Sequence, residues 1–132
     1  MVMHLERVSF ERFKSLRYLY NNMADCLPNQ AEECLYKSHE LMSHEPENSV
    51  YVLANVKGIR FNKDIIQVFK DVTKKNAPYV KTTAVYGLDG FAKLLINTVV
   101  KFSRREMRVF DDLDQAKEWL LAQQQQQVSM AV

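Results

Sequence analysis

Long apolar runs are missing from this chain of 132 residues. No stretch approaches the ~20 consecutive apolar residues that a membrane-spanning helix needs. Cysteine is scarce: Cys26 and Cys34 are too few for a disulfide framework. Cys34 falls on an apolar helix face and is expected to be a buried free thiol. Neither sign of charge is in excess. Eighteen basic residues stand against sixteen acidic ones, for a net charge of +2, which argues against nucleic acid as a partner. The first residues, Met1 to Arg7, lack the continuous apolar stretch of a signal peptide, and a cytoplasmic protein is expected. Catalytic signatures are absent as well. No serine or cysteine lies in a G-x-S-x-G setting. His39-Glu40 followed by His44 is not a zinc-protease motif, because that motif needs histidines four residues apart. A five-residue gap places His39 and His44 about 140° apart around a helix. Asp64, Asp89, Asp112 and Asp114 all fall in first turns or caps, where helix N-termini favour a carboxylate. With no matched acid and base, the chain is expected to be no enzyme and to hold no metal or cofactor.

What is present is ordinary globular usage, with 47% hydrophobic and 26% charged residues. Residues 1–122 are expected to form one domain, and the Gln-rich stretch 123–132 a flexible tail. Val8, Phe10 and Arg12 alternate as an extra N-terminal edge strand would. Ser15 to Tyr20 alternates Leu16, Tyr18 and Tyr20 against its other residues and predicts a strand, ended by turn chemistry at Asn21 and Asn22. Pro28 opens a helix through Ser43, with Ala31, Cys34, Leu35, Leu41 and Met42 at helical spacing. Val50 to Val56 is nearly all apolar, as in a strand covered on both faces. Asn62 caps a second helix that carries Ile65, Ile66, Val68, Phe69 and Val72. Thr82 to Tyr86 is the next strand and Met107 to Phe110 a short one. Asp112 to Gln115 has capping-box spacing for a last helix bearing Leu113, Ala116, Trp119 and Leu120. Strand and helix alternate over short connections, which predicts an α/β domain with a mostly parallel sheet of four to five strands in a β–α superhelix.

Two of the three glycines fall in one turn, Gly87-Leu-Asp-Gly90, between a strand end and a helix start. Ligands bind at such places in open α/β sheets, and free N–H groups there favour anions, so Gly87 and Gly90 are a candidate anion-binding turn. Against this, the turn is not G-x-G-x-x-G, it lacks the P-loop lysine, and Asp89 puts a negative charge where a phosphate would sit. A tight turn with an Asp cap is the competing reading.

The helix expected after that turn is unusually apolar. On a wheel, Phe91, Ala92, Leu95, Val99 and Phe102 form one broad face sufficient to cover a sheet. Leu94, Ile96 and Val100 are left over, flanking a narrow polar stripe of Lys93, Asn97 and Lys101. A helix covering one sheet in water normally carries polar residues on those flanks. Either neighbouring helices cover them, or they meet a partner, a lipid or an apolar ligand.

The segment from Val50 to Leu120 resembles the SpoIIAA-like family, small relatives of STAS domains that are also similar to CRAL-TRIO lipid carriers. The resemblance rests on Val52-Leu-Ala-Asn-Val-Lys-Gly58-Ile-Arg-Phe61, Ala77-Pro-Tyr-Val80, Ala84-Val-Tyr-Gly-Leu-Asp-Gly90, Lys101-Phe102, and Val109-Phe-Asp-Asp112 with Glu118-Trp119-Leu120. It implies a four-turn β–α superhelix with no enzyme chemistry. STAS proteins that antagonise anti-sigma factors carry a phosphorylatable serine after the second parallel strand. The matching stretch here, Phe61-Asn-Lys-Asp-Ile65, has no serine or threonine, which argues against that switch. The lipid-carrier likeness implies an apolar pocket near the third or fourth helix. The expectation is therefore a binding module for an apolar small molecule or lipid, with Phe91, Leu95, Val99 and Phe102 lining the pocket. Leu94, Ile96 and Val100 would touch a peripheral membrane or a lid. The alternative is a STAS-type protein-interaction module that self-associates as a homodimer through the same helix.

Overall fold

A computed structural model describes residues 6–90, 93 and 107–130. Its sheet has five strands in sequential order: β1 (Val8–Phe13), β2 (Leu16–Asn22), β3 (Val50–Asn55), β4 (Val80–Tyr86) and β5 (Met107–Phe110). The helices are α1 (Pro28–Met42), α2 (Lys63–Asn76) and α3 (Leu113–Met130).

The α/β class is as expected, but the sheet is mixed rather than mostly parallel. β2, β3, β4 and β5 pair in parallel, whereas β1 runs antiparallel to β2, with Phe13 opposite Leu16. A two-residue turn, Lys14–Ser15, joins β1 to β2, and such a turn can only reverse the chain. Lys14 takes a φ of 55° there. Lys14 carries no turn preference, and Ser15, a common turn residue, reads in the sequence as the start of the alternating strand, so the reversal leaves little trace.

The predicted caps are in place. Asn62 Oδ1 accepts from the Ile65 amide at 2.8 Å at the start of α2, and Asp112 Oδ1 accepts from the Asp114 amide at 2.8 Å at the start of α3. Pro28 occupies the first turn of α1, where the Leu27 amide donates to Gln30 Oε1 at 2.9 Å. The stretch set apart as a flexible tail continues α3 as helix to Met130. Glutamine is a good helix former, and Gln124 Nε2 donates to the Ser15 carbonyl at 3.3 Å, tying the helix to the hairpin turn.

The sheet separates two apolar layers. On one face α1 and α2 cover Leu19, Val52 and Val85, with Cys34, Leu35, Ile65, Phe69 and Val72 reaching down from the helices. On the other, α3 lays Ala116, Leu120 and Leu121 over Leu16, Tyr18, Tyr51, Leu53 and Ala84. β3 therefore has both faces buried from Val50 to Leu53, which accounts for its nearly unbroken apolar sequence. Ring contacts extend the α3 layer, with Phe110 and Trp119 centroids 5.5 Å apart. Burial raises the pKa of the Tyr18 and Tyr51 phenols above the ordinary range.

Cys26 and Cys34 are buried free thiols. Cys34 is pushed up to about 12, first by burial and then by the adjacent Cys26. A thiol held neutral in this way is a poor nucleophile. Among the described residues, no helix is long and apolar enough to cross a membrane.

Candidate functional site

Between the helical layer and the sheet lies a cavity of about 80 Å³. Its floor is formed by Asn21 of β2, Val52 and Ala54 of β3, Thr83 and Val85 of β4, and Met107 of β5. Register explains why space remains here. Asn21 pairs with Ala54, and Ala54 with Val85, so a small side chain lies at the centre of the row. Ala54 stays partly exposed although it belongs to the middle strand of the sheet. Val80 joins the wall despite its even position because the β3–β4 ladder shifts register between Val50 and Tyr51. Such an irregularity turns a side chain to the opposite face. The helices supply Leu35, Ser38 and Met42 from α1 and Phe69, Val72 and Asn76 from α2.

Five polar side chains stand in the lining, Asn21, Ser38, Thr73, Asn76 and Thr83, and hydrogen bonds tie down Ser38 and Asn76. Ser38 Oγ donates to the Leu35 carbonyl at 2.7 Å. His39 Nδ1–H donates to Asn76 Oδ1 at 2.7 Å, joining α1 to α2. Asn21 is different. Its side chain is 3% exposed, and Oδ1 has no hydrogen-bond partner. An unpaired buried acceptor costs about 1–3 kcal/mol, and native proteins hold few of them. No lysine, arginine or carboxylate stands among the described lining residues. The site is thus a mainly apolar space with the Thr73 and Thr83 side chains in its wall, beside a buried, unpaired acceptor on Asn21.

Asn21 was expected to be turn chemistry. The structure extends β2 through Asn22 because Asn21 and Asn22 pair in parallel with Ala54 and Asn55. The alternation Leu19, Asn21, Met23 continues past Tyr20, and Leu19 and Met23 both join the α1–α2 core; that pattern is the signal available in the sequence. Nothing comparable points to Ala54 or Ser38.

The expected pocket residues Phe91, Leu95, Val99 and Phe102, and the expected interface or membrane residues Leu94, Ile96 and Val100, lie outside the described residues. The cavity does touch Val85 of β4 and Met107 of β5, the two strands that residues 91–106 connect. The glycines of the candidate anion-binding turn behave differently from each other. Gly87 has a φ of +94°, and a Cβ there would meet the Lys57 backbone at 2.8 Å, so it is required for the close approach of two loops. Its N–H donates to the Phe110 carbonyl at 3.3 Å and is not free for an anion. A Cβ on Gly90 would meet nothing within 4 Å. The helical turn that begins there is closed by the Lys93 amide donating to the Asp89 carbonyl at 2.9 Å.

No family model matches the chain, and no curated protein matches it. Among solved structures it is similar to an uncharacterized protein of the DUF3478 family from Shewanella loihica PV-4, described as having a SpoIIAA-like fold. The match has a TM-score of 0.69 at 15% sequence identity and covers 91% of this chain and 98% of that one. The protein is thus an α/β domain with the SpoIIAA-like fold.

Proposed function

We propose that this chain is a non-enzymatic binding module and that the cavity between α1, α2 and the sheet takes an apolar small molecule or the end of a lipid. The observation that supports this most is the cavity itself, an apolar-walled space kept open in the centre of the sheet by Ala54. At about 80 Å³ it is roughly half the ~150 Å³ apolar cavity that takes benzene. It suits a small group or a chain end that enters while the rest of the molecule stays outside. Native mass spectrometry of protein purified from cells is expected to show an apolar species that is released on denaturation. The species should be lost in Ala54→Leu, which places a larger side chain on the cavity floor. A spectrum of the bare chain, with no stabilisation by small apolar probes, would overturn the proposal.

A second reading, a STAS-type regulatory or interaction module, is favoured by the likeness of fold. The turn of residues 61–65 offers no hydroxyl for phosphorylation, so this reading rests on constitutive association. Sedimentation velocity at tens of micromolar tests its homodimeric form, and a monomer throughout would exclude that form.

A further inference from the structure

We infer that Cys26 and Cys34 are a redox-active dithiol, which closes to an intramolecular disulfide by exchange with a small disulfide such as oxidised glutathione and in closing shifts α1 against the sheet. Both are free thiols buried in the α1–α2 core. They stand side by side, close enough for one thiol to hydrogen-bond the other. Local geometry explains the meeting. Cys26 directly precedes Leu27, the N-cap of α1, and Ala31 and Cys34 lie on the buried face of the helix. A residue in the place of Cys26 commonly packs on the fourth helical residue. Here that residue is Ala31, whose single methyl group leaves Cys26 within reach of Cys34 one turn further on. The backbone holds Cys26 in that place. Its amide donates to the Met23 carbonyl at 3.2 Å, and its carbonyl accepts from the Arg60 amide at 2.9 Å.

Access comes from the weak start of α1. A leucine N-cap has no side-chain acceptor for the free amides, and the first turn carries no acidic residue, so two usual stabilisers of a helix start are missing. Such an end opens locally at less cost than the whole fold. In the opened turn one thiol gives up its proton and attacks oxidised glutathione, forming a mixed disulfide and releasing one glutathione. The second thiol, deprotonated likewise, attacks the protein sulfur of that mixed disulfide and releases the second glutathione. Two protein thiols are thereby oxidised to one disulfide, and one oxidised glutathione is reduced to two thiols. Only eight positions separate the cysteines. The closed loop is small and adds little stability, so a reductant reopens it. An S–S bond is ~2.05 Å long, far shorter than the separation of two thiols in contact, and α1 is drawn toward the loop that holds Cys26. Leu35, Ser38 and Met42 of the same helix stand in the cavity wall, so the oxidation state reaches that space. The effect on a ligand rests on the cavity reading proposed above, whereas the disulfide does not.

The full wild-type chain would be equilibrated in mixtures of reduced and oxidised glutathione at pH ~8.5, where an exposed thiol is half ionised. It would then be alkylated in denaturant and weighed by mass spectrometry. In oxidising mixtures the chain should lose both alkylatable thiols and two hydrogens, with Cys26 joined to Cys34 in the peptide map. Dithiothreitol should restore both thiols. The amide NMR signals of Leu35, Ser38 and Met42 should shift on oxidation, while those of Ala116 and Leu120, on the other face of the sheet, stay in place. Cys26→Ala should abolish those shifts. Two alkylatable thiols after equilibration, a chain that stops at glutathione adducts, or a disulfide between two chains would each overturn the inference and leave the apolar-site reading standing. A Cys26–Cys34 disulfide without movement of the α1 signals would overturn the shift of α1 and make the pair a local cross-link. Shifts that persist in Cys26→Ala would remove the pair as their source. The wild-type measurements decide the question even where Cys26→Ala does not fold.

Discussion

Replacing Asn21 by leucine should make this protein more stable, against the usual direction of a core substitution. Asn21 is 3% exposed and its Oδ1 has no partner, so the native state carries an uncompensated desolvation of about 1–3 kcal/mol. Leucine removes the orphan acceptor, and the adjacent cavity of about 80 Å³ gives its branched end room without the strain that overpacking brings. The expected gain is about 1–3 kcal/mol. Asn55 provides an internal contrast, one strand away and on the opposite face. It is 9% exposed, but its Nδ2 donates to the Tyr20 hydroxyl at 3.0 Å and its Oδ1 accepts from the Lys57 amide at 3.2 Å. Asn55→Leu strands both of those groups and should cost about 1–3 kcal/mol. Urea unfolding of the wild type and the two variants, with the midpoint compared at constant slope, reads both signs in one experiment. A lower midpoint for Asn21→Leu at unchanged slope would refute the reasoning, since it would mean that Oδ1 is satisfied within the folded protein. A stabilising substitution at a buried position is also what a ligand site predicts, because such sites retain polar groups that folding alone does not favour.

The remaining expectations concern the scaffold. Gly87→Ala should destabilise by roughly 1–3 kcal/mol, through its φ of +94° and the Lys57 backbone beside it, whereas Gly90→Ala should be neutral or slightly stabilising; thermal unfolding of the pair separates the two roles. Asn62→Ala removes the cap on Ile65 and should cost about 1 kcal/mol in urea unfolding. Cys34, pushed up to about 12 from an ordinary value near 8.5, keeps its proton in the folded state while the unfolded chain loses it. Its contribution is therefore whole below pH ~8.5 and is lost as pH rises toward about 12, at up to ~1.4 kcal/mol per pH unit. Urea titrations between pH 7 and 11 should show a shallower decline for Cys34→Ala than for the wild type, and parallel curves would contradict this.

Local chemistry was readable from the chain wherever one residue type decides the outcome. Asn62 and Asp112 had to be caps, because their side chains can reach the amides two or three positions on. Val50 to Val56 had to be a doubly covered strand, because only burial on both faces tolerates so many apolar residues in succession. The alternation of strand and helix then required parallel crossovers for β2 through β5. The direction of β1 was not readable. It depends on a turn at Lys14 and Ser15 that holds no glycine, proline or asparagine, and only pairing with Leu16–Asn22 determines it. The end of β2 was missed for the opposite reason, since asparagine favours turns when nothing else competes. Here the neighbouring edge of β3 competes and wins.

The cavity belongs to the tertiary structure alone. Asn21, Ser38, Ala54 and Asn76 are far apart in the chain, and none of them is unusual in its own segment. What makes them a site is a parallel register that sets Asn21 beside Ala54 and two helices that bring Ser38 and Asn76 over that floor. Periodicity determines which residues face inward, because it is a property of one segment. Whether inward-facing residues fill the space between layers depends on how several segments meet, and whether a buried acceptor finds a donor depends on the same meeting. The sequence by itself determined an α/β domain with its caps. Only the packing of α1 and α2 on the sheet left Asn21 buried without a partner.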